Sequence, residues 1–322
     1  MQIPNLLEYA IEKETEKYNI KDLKEAALNL SKRYMEMIRT GETFLKTDLD
    51  TISYSVIRMP ATYSAIRTCL EKINELKEFE INSLLDIGSG TGSAEWAAID
   101  VFDINDIVCL EREKAMRDLA KNYFSYNEEL KNVKFIEADI LNEELKECKD
   151  LCILSYMINE LSEQNRLKVI DKVLKCTNKV LLIVEPGTPE GFENIRKIRD
   201  YVFEKGYEIN APCTGFIGRC DIPKDDWCAS SVRVQRTKIH KYLKDAEVGF
   251  EDEKFSYIAI STIKEKLELE NCGRRILRHP KIQNGRIEVK TCLKGEIKEE
   301  VITKKNKEEF KVLKKKSNGD IL

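Results

Sequence analysis

Ser83-Leu84-Leu85-Asp86-Ile87-Gly88-Ser89-Gly90-Thr91-Gly92 is the stretch on which the reading of the whole chain turns. A short apolar run of strand character meets an acid, three glycines follow on alternate positions, and Ser93 to Ile99 then reads as a helix. Alternating glycines let a backbone come close to a ligand, and the free N–H groups of a helix start carry partial positive charge. A polar cofactor can lie across such a turn. The spacing lacks the longer G-x-G-x-x-G step of dinucleotide folds, and no Gly-Lys-Ser/Thr follows as a phosphate-binding loop needs, which argues against NAD and ATP.

The flanking segments repeat the pattern of strand, loop and helix. Asp106 to Leu110 is a second strand and ends in Glu111, about 20 residues past the glycines, where a fold of this kind needs an acid to accept both ribose hydroxyls. Val133 to Ile136 is a third strand, followed by Glu137-Ala138-Asp139; Asp150 to Leu154 and Val180 to Val184 are further strands, separated by a helix from Ser162 to Leu174. Such alternation predicts an α/β fold with a parallel sheet covered by helices on both faces and ligands at the carboxyl ends of its strands. The glycine turn resembles motif I of class I methyltransferases, where the glycines hold the amino-acid part of S-adenosylmethionine (SAM). On that resemblance Asp86, Gly88, Ser89, Gly90, Gly92, Glu111, Asp139 and Ser155 are cofactor residues, with Asp139 at the adenine amine. The loop Ser155-Tyr156-Met157-Ile158-Asn159-Glu160 falls where methyltransferases place groups near the transferred methyl, so Tyr156, Asn159 and Glu160 are the catalytic candidates. It is not Asn/Asp-Pro-Pro-Tyr/Phe, and methylation of exocyclic base amines gains no support from it.

A chain of 322 residues with 42% hydrophobic content has room for one large domain with additions, or for two domains. No run of about 18 apolar residues occurs, and the N-terminus has neither a basic start nor a long apolar core, so no membrane span or secretion is expected and the default compartment is the cytoplasm. The net charge of −3 is uneven: residues 261–322 hold 17 Lys/Arg against 10 Asp/Glu, which leaves −10 for the rest. Polyanion binding is therefore expected of the C-terminal part. Ten cysteines in a cytosolic chain are not expected to be disulfides; Cys69, Cys109, Cys148, Cys152 and Cys176 read as small buried hydrophobes in apolar runs.

Residues 1–80 read as a helical cap, with Leu23, Ala26, Leu30, Tyr34 and Ile38 on one stripe and a second helix from Tyr63 to Lys77 after Arg58-Met59-Pro60. Residues 81–262 form the SAM-binding, Rossmann-like domain, including a cysteine-rich insertion at 207–245, and 263–322 a basic β extension and tail. In the insertion Cys213, Cys220 and Cys228 lie on a segment too irregular to pack by itself, which suggests a metal as its core. Cys272, Cys292, His240 and His279 are candidates for a fourth ligand, and zinc, an iron-sulfur cluster and no metal at all remain open on spacing. Directly behind, Arg233, Arg236, Lys238, Lys241 and Lys244 form an acid-free stripe suited to RNA phosphates, with a solvated helix face as the alternative.

Together these stretches resemble the methyltransferase-like family of small-ribosomal-subunit proteins. The matching segments are Arg58-Met-Pro-Ala-Thr-Tyr63, Leu85 to Gly92, Ser155-Tyr156 with Asn159-Glu160-Leu161, Glu185-Pro-Gly-Thr-Pro189, Ala211-Pro-Cys213 with Cys220, Asp226-Trp-Cys228, and Phe250 to Tyr257. The resemblance covers about residues 54 to 295. It implies a [4Fe-4S] cluster held by Cys213, Cys220, Cys228 and Cys292, SAM as cofactor, and small-subunit rRNA as partner; zinc is the alternative metal. Two functions follow from it: SAM-dependent methylation of that rRNA, or non-catalytic assembly of the subunit with SAM and the cluster as structural elements. A monomer is expected when the protein is free.

Overall fold

The computed structural model describes residues 1–40, 45–75, 80–213, 218–263, 273–293 and 295–322; Cys272 and Lys77 lie outside these, and the side chains of Tyr34 and Ile38 are likewise outside the described set. The chain opens with three helices, α1 (Asn5–Thr15), α2 (Ile20–Thr40) and α3 (Asp48–Glu75). It then alternates β1 (Ser83–Ile87), α4 (Ser93–Ile99), β2 (Asp106–Leu110), α5 (Lys114–Phe124), β3 (Lys134–Ile136), β4 (Lys149–Ser155), α6 (Glu163–Lys175), β5 (Thr177–Pro186), α7 (Pro189–Glu204) and β6 (Glu208–Ala211). The remainder is β7 (Ser230–Gln235), α8 (Lys238–Leu243), β8 (Phe250–Ser261), β9 (Arg275–Ile276), β10 (Lys281–Gln283), β11 (Arg286–Leu293), β12 (Glu296–Thr303) and α9 (Lys307–Leu313).

Two compact units result, one of residues 1–179 with 232–253 and one of 180–231 with 254–322. Their bounds differ from those drawn on composition, because composition follows the order of the chain whereas contacts return residues 232–253 to the N-terminal unit.

In the first unit β1 lies between β2 and β4, β3 flanks β2, and all these pairings are parallel, with Leu85 opposite both Val108 and Cys152. The chain steps one way from β1 to β3 and then returns to the other side of β1 for β4. Neighbouring connections therefore part above the ends of β1 and β4, the switch point at which open α/β sheets bind ligands. Apolar runs buried on both faces explain the strands: Leu84, Leu85, Ile87, Leu151, Ile153 and Leu154 are each at most 1% exposed.

The sequence placed a helix start after Pro60, and the structure corrects this: Pro60 is inside the 28-residue α3. Ile52, Val56, Met59, Tyr63, Ile66, Leu70 and Ile73, each at most 1% exposed, run past it at steps of three and four. Burying seven such side chains, at roughly 1.5–3 kcal/mol each, outweighs the cost of about 3 kcal/mol for an interior proline. In α2 the predicted stripe is buried at Leu23, Ala26 and Leu30. Cys148 is exposed, contrary to its reading as a buried hydrophobe, while Cys69, Cys109, Cys152 and Cys176 are buried.

In the second unit β8 runs antiparallel to both β5 and β6, with Leu182 opposite Ala259. A separate antiparallel sheet sets β11 against β9, β10 and β12, over a small core of Ile276, Ile287, Val289, Phe310 and Leu313. Alternation along β11 sends Ile287, Val289 and Thr291 to that core and leaves Lys290 and Cys292 for the opposite face.

One buried group in the first unit has a testable consequence. His240 on α8 is fully buried, and Glu251 Oε1 stands 3.5 Å from its Nε2. Burial lowers its pKa to about 4; Glu251 opposes this, while Lys244, Arg236 and Arg58 add to it. The unfolded chain, titrating near pH 6.5, binds the proton more readily, so the contribution of neutral His240 is present above that pH and is lost as pH falls from 6.5 toward 4. Urea unfolding should show about 2 kcal/mol less stability at pH 5 than at pH 7 from this group, and His240→Gln should remove most of that difference. An equal pH dependence in both proteins would contradict the assignment.

Candidate functional site

The carboxyl ends of β1, β2 and β4 open into one pocket in the first unit, lined by Gly88, Ser89 and Gly90 after β1, Glu111 after β2, Asp139 after β3, and Ser155, Tyr156 and Glu160 after β4. Helix α3 closes one side with Tyr54, Arg58 and Met59. Asp86 and Asn159 do not line it, and neither does Gly92.

The turn is built on β2. Gly88 and Ser89 donate their N–H groups to the Leu110 carbonyl at 2.7 and 3.3 Å, and Gly90 N–H donates to Glu111 Oε2 at 2.9 Å. Glu111 Oε1 accepts from Glu113 N–H at 2.7 Å. An ionised carboxylate has about four acceptor sites, so two backbone donors fix Glu111 in place and leave capacity for two hydroxyls. Arg117, buried on α5, donates to the carbonyls of Glu111 and Arg112 at 2.8 and 2.7 Å and pairs with Glu137, which holds the loop after β2 from below. Local sequence gave no sign of this role, since Arg117 reads as one charge of an amphipathic helix. Asp139 Oδ1 accepts from Leu141 N–H at 2.9 Å, closing its own turn and presenting the carboxyl to the pocket rim.

Gly90 has φ +55° and a Cβ there would meet nothing within 4 Å, so its missing side chain is pocket space. Gly92 has φ +90° and a Cβ there would stand 2.5 Å from the Phe124 ring, so it serves packing rather than a ligand. Asp86 lies under the turn, 1% exposed, beside Glu95 of α4; burial first, and then the charge of Glu95, push its pKa well above the usual carboxyl range. Cys109 donates its thiol to Glu95 Oε1 at 2.7 Å. Two adjacent buried carboxyls disfavour both being ionised, so this pair retains a proton beneath the turn.

The catalytic candidates separate. The Tyr156 hydroxyl donates to Glu253 Oε1 at 2.9 Å, Arg58 Nη2 pairs with the same oxygen at 3.1 Å, and the Arg58 guanidinium lies 5.6 Å from the Tyr156 ring centre. Burial and then Glu253 push the Tyr156 pKa well up. With φ +55°, a conformation uncommon outside glycine, Tyr156 is clamped rather than free to move. Glu253 is the residue that sequence reasoning missed here, although it stands in a segment that carried the resemblance. Glu160 is at the pocket rim; partial desolvation raises its pKa, Arg112 opposes this, and Glu111 and Glu113 add to it.

The second unit gathers the thiols. Cys220, Cys228 and Cys292 pack with Trp227 and Ile297 against the buried cluster of Phe192, Ile222 and Leu277, and Cys213 is near enough to act electrostatically on all three. Burial pushes Cys220 up to about 11 and Cys228 up to about 12. Asp226 bridges Lys290 of β11, at 2.7 Å, and Arg278, whose guanidinium stacks 4.0 Å over the Trp227 ring. The thiol loop is thus fastened to the face of β11 that carries Cys292. Three of the four thiols pack against this one apolar cluster, while among the described residues no three His, Cys, Asp or Glu side chains stand close enough to hold a single ion.

The basic stripe is largely neutralised within the first unit. Arg233 forms a two-point pair with Asp252 at 2.8 and 3.0 Å, and Arg236 and Lys244 both reach Glu251, at 2.9 and 2.8 Å. The acids sit on β8, beyond the window in which the stripe looked acid-free. By contrast Lys304, Lys305, Lys307, Lys311, Lys314 and Lys315, on and around α9, are exposed and make no ion pair among the described residues.

Parallel strands, a glycine turn over β2 and acids at three strand ends define a Rossmann-like α/β protein. The chain belongs to the family of the mitochondrial small ribosomal subunit protein Rsm22, which it matches over residues 48–322. It is similar to the human mitochondrial ribosome assembly protein METTL17, 27% identical over 177 residues, a match spanning 52% of this chain and 38% of the human protein. Among solved structures it is similar to the SAM-bound magnesium protoporphyrin IX methyltransferase of Synechocystis PCC 6803, at 12% identity and a TM-score of 0.40 over 71% of this chain and 89% of that one. It is also similar to the N-methyltransferase NodS of Bradyrhizobium japonicum, at 12% identity and a TM-score of 0.38 over 61% and 84%. Likeness at that level decides nothing further.

The two glycines should respond differently to alanine. Gly92→Ala combines a left-handed backbone with overlap on Phe124 and should lose about 2–4 kcal/mol in urea unfolding. Gly90→Ala meets open space and should lose only about 1 kcal/mol. Equal losses would contradict the division of labour in the turn.

Proposed function

We propose that this chain is a SAM-binding ribosome assembly factor that acts on the small subunit. The observation that carries this reading is the Glu111 carboxylate, fixed by Gly90 and Glu113 beside the open space that Gly90 leaves at the sheet's switch point. Gly88, Ser89 and Gly90 would take the amino-acid end of SAM, Glu111 its ribose hydroxyls, and Asp139 its adenine, with Ser155 on the facing strand end. The proton retained between Asp86 and Glu95 keeps the space below the turn from collecting excess negative charge.

A second reading, methyl transfer to rRNA, rests on Glu160. SAM when bound supplies an already activated methyl group, so this chain need only align an acceptor and, where the acceptor is acidic, take its proton. A rim carboxyl with a raised pKa is suited to that proton. Tyr156 is not free for it: its hydroxyl is spent on Glu253, which also pairs with Arg58. Asn159 is off the pocket, inside a short helical turn at 158–160.

For the thiols the reading is a [4Fe-4S] cluster on Cys213, Cys220, Cys228 and Cys292, with zinc as the alternative. Support comes from the soft chemistry of the donor set and from the packing of Cys220, Cys228 and Cys292 on one apolar cluster, with Cys213 near enough to act on all three electrostatically. RNA phosphates would meet the unpaired lysines around α9 in preference to the neutralised stripe at 233–244.

The test uses full chain purified without oxygen, methyl-labelled SAM and isolated small subunits. The chain should co-sediment with subunits, and replacing Lys307, Lys311, Lys314 and Lys315 by Gln should weaken binding about tenfold or more and flatten its salt dependence. Label transferred to rRNA selects methyl transfer, label held only as cofactor selects the assembly role, and absence of subunit binding overturns both. The same material should contain about four irons and four sulfides per chain, lost in Cys292→Ser; one zinc without iron would replace the cluster.

A further inference from the structure

Arg275 opens β9 and is 8% exposed, a costly place for a charge that has no counter-ion. No carboxylate pairs with it among the described residues. Its two terminal nitrogens donate instead to backbone carbonyls, Nη1 to Gly319 at 3.0 Å and Nη2 to Pro212 at 3.1 Å. Pro212 immediately precedes Cys213. On the other side, the register of β9 against β11 puts Arg275 directly opposite Cys292. Arg275 thus meets the segment of the first thiol through its guanidinium and that of the last through its strand pairing, and its charge interacts with Tyr257 first and then with Cys228 and Cys213. A residue that served only to tie two backbone segments would not need a permanent charge, since a neutral donor could do the same at lower desolvation cost.

We infer that Arg275 is the charge-compensating and positioning residue of the thiol site, a buried cation held by two carbonyls so that it can balance an anionic metal-thiolate centre on Cys213, Cys220, Cys228 and Cys292. This rests on the metal-centre reading above. Four thiolates carry four negative charges against two positive charges on a zinc ion or on an oxidised [4Fe-4S] core, so either centre is a net dianion. The inference holds for both metals: the dianion would join Tyr257 as a partner of a buried arginine that has no carboxylate among the described residues. In the sequence Arg275 is one of a pair, Arg274-Arg275, and the structure separates them, with Arg274 bound to Glu300 and Glu309 while Arg275 faces the thiols.

The test compares anaerobic full-length wild type, Arg275→Lys and Arg275→Gln, after metal analysis of the wild type establishes which metal it holds. Lysine keeps the charge and loses the two-carbonyl fork; glutamine loses the charge. With a cluster, the midpoint reduction potential of Arg275→Gln should move to more negative values, since an added electron is no longer offset, and Arg275→Lys should stay near wild type. With either metal, loss to a chelator should be at least tenfold faster in Arg275→Gln than in Arg275→Lys. Equal potentials and equal metal retention in all three overturn the inference while leaving the metal centre standing. A wild type with neither iron nor zinc overturns both. If Arg275→Gln does not fold, Arg275→Lys decides: metal retained with a wild-type potential supports the role of charge, and metal lost overturns it.

Discussion

The two hydrogen bonds that Glu111 accepts, from Gly90 and from Glu113, are what the pocket depends on. They join the turn after β1 to the loop after β2 through one carboxylate, and hydrogen bonds to a charged group are worth about 1.5–3 kcal/mol each. The same contact places the acceptor, opens the turn and sets the distance between two strand ends. Arg117 supports it from beneath by taking the carbonyls of Glu111 and Arg112. The parallel order around β1 then needs only to bring Asp139 and Ser155 to the same rim. A cofactor bound here would meet groups already held in position, so little ordering cost would remain on binding.

The second unit solves a different problem. Residues 218–229 have no regular structure of their own, and Asp226, Trp227 and Arg278 fasten them to β11 before any metal is considered. Asp226 is held below the usual carboxylate range by Lys290 and Arg278 against the cost of its own burial. Ionic and aromatic contacts thereby bring the loop of Cys220 and Cys228 against the strand of Cys292. Arg275 belongs to the same logic, as a fixed charge in a site that is otherwise apolar and sulfur-rich.

Local chemistry was legible where one segment contained both halves of the signal. The glycine turn, the strand endings at Glu111 and Asp139, and the thiol spacing all reside in short windows, and each of those residues has a definable place in the structure. What escaped the sequence depended on partners far along the chain. Glu253 meets Tyr156 across 97 positions, Arg275 meets Cys292 through a strand pairing, and the acids that silence Arg233 and Arg236 lie 15 to 19 residues on. Pro60 was misread because a proline looks alike at a helix start and within a helix whose buried face outweighs it. Asp86 reads as a ligand contact from its motif position, and lies beneath the pocket because Glu95 and the turn itself cover it.

The most direct measurement is calorimetric titration of the full-length chain with S-adenosylhomocysteine, on wild type and on Glu111→Ala. The account predicts one saturable site per chain in the wild type and a loss of affinity of about tenfold or more in Glu111→Ala, as expected for removing an acceptor of two hydroxyls. No binding to the wild type, or equal affinity in the two proteins, would contradict the claim that this strand-end pocket is a SAM site organised by Glu111.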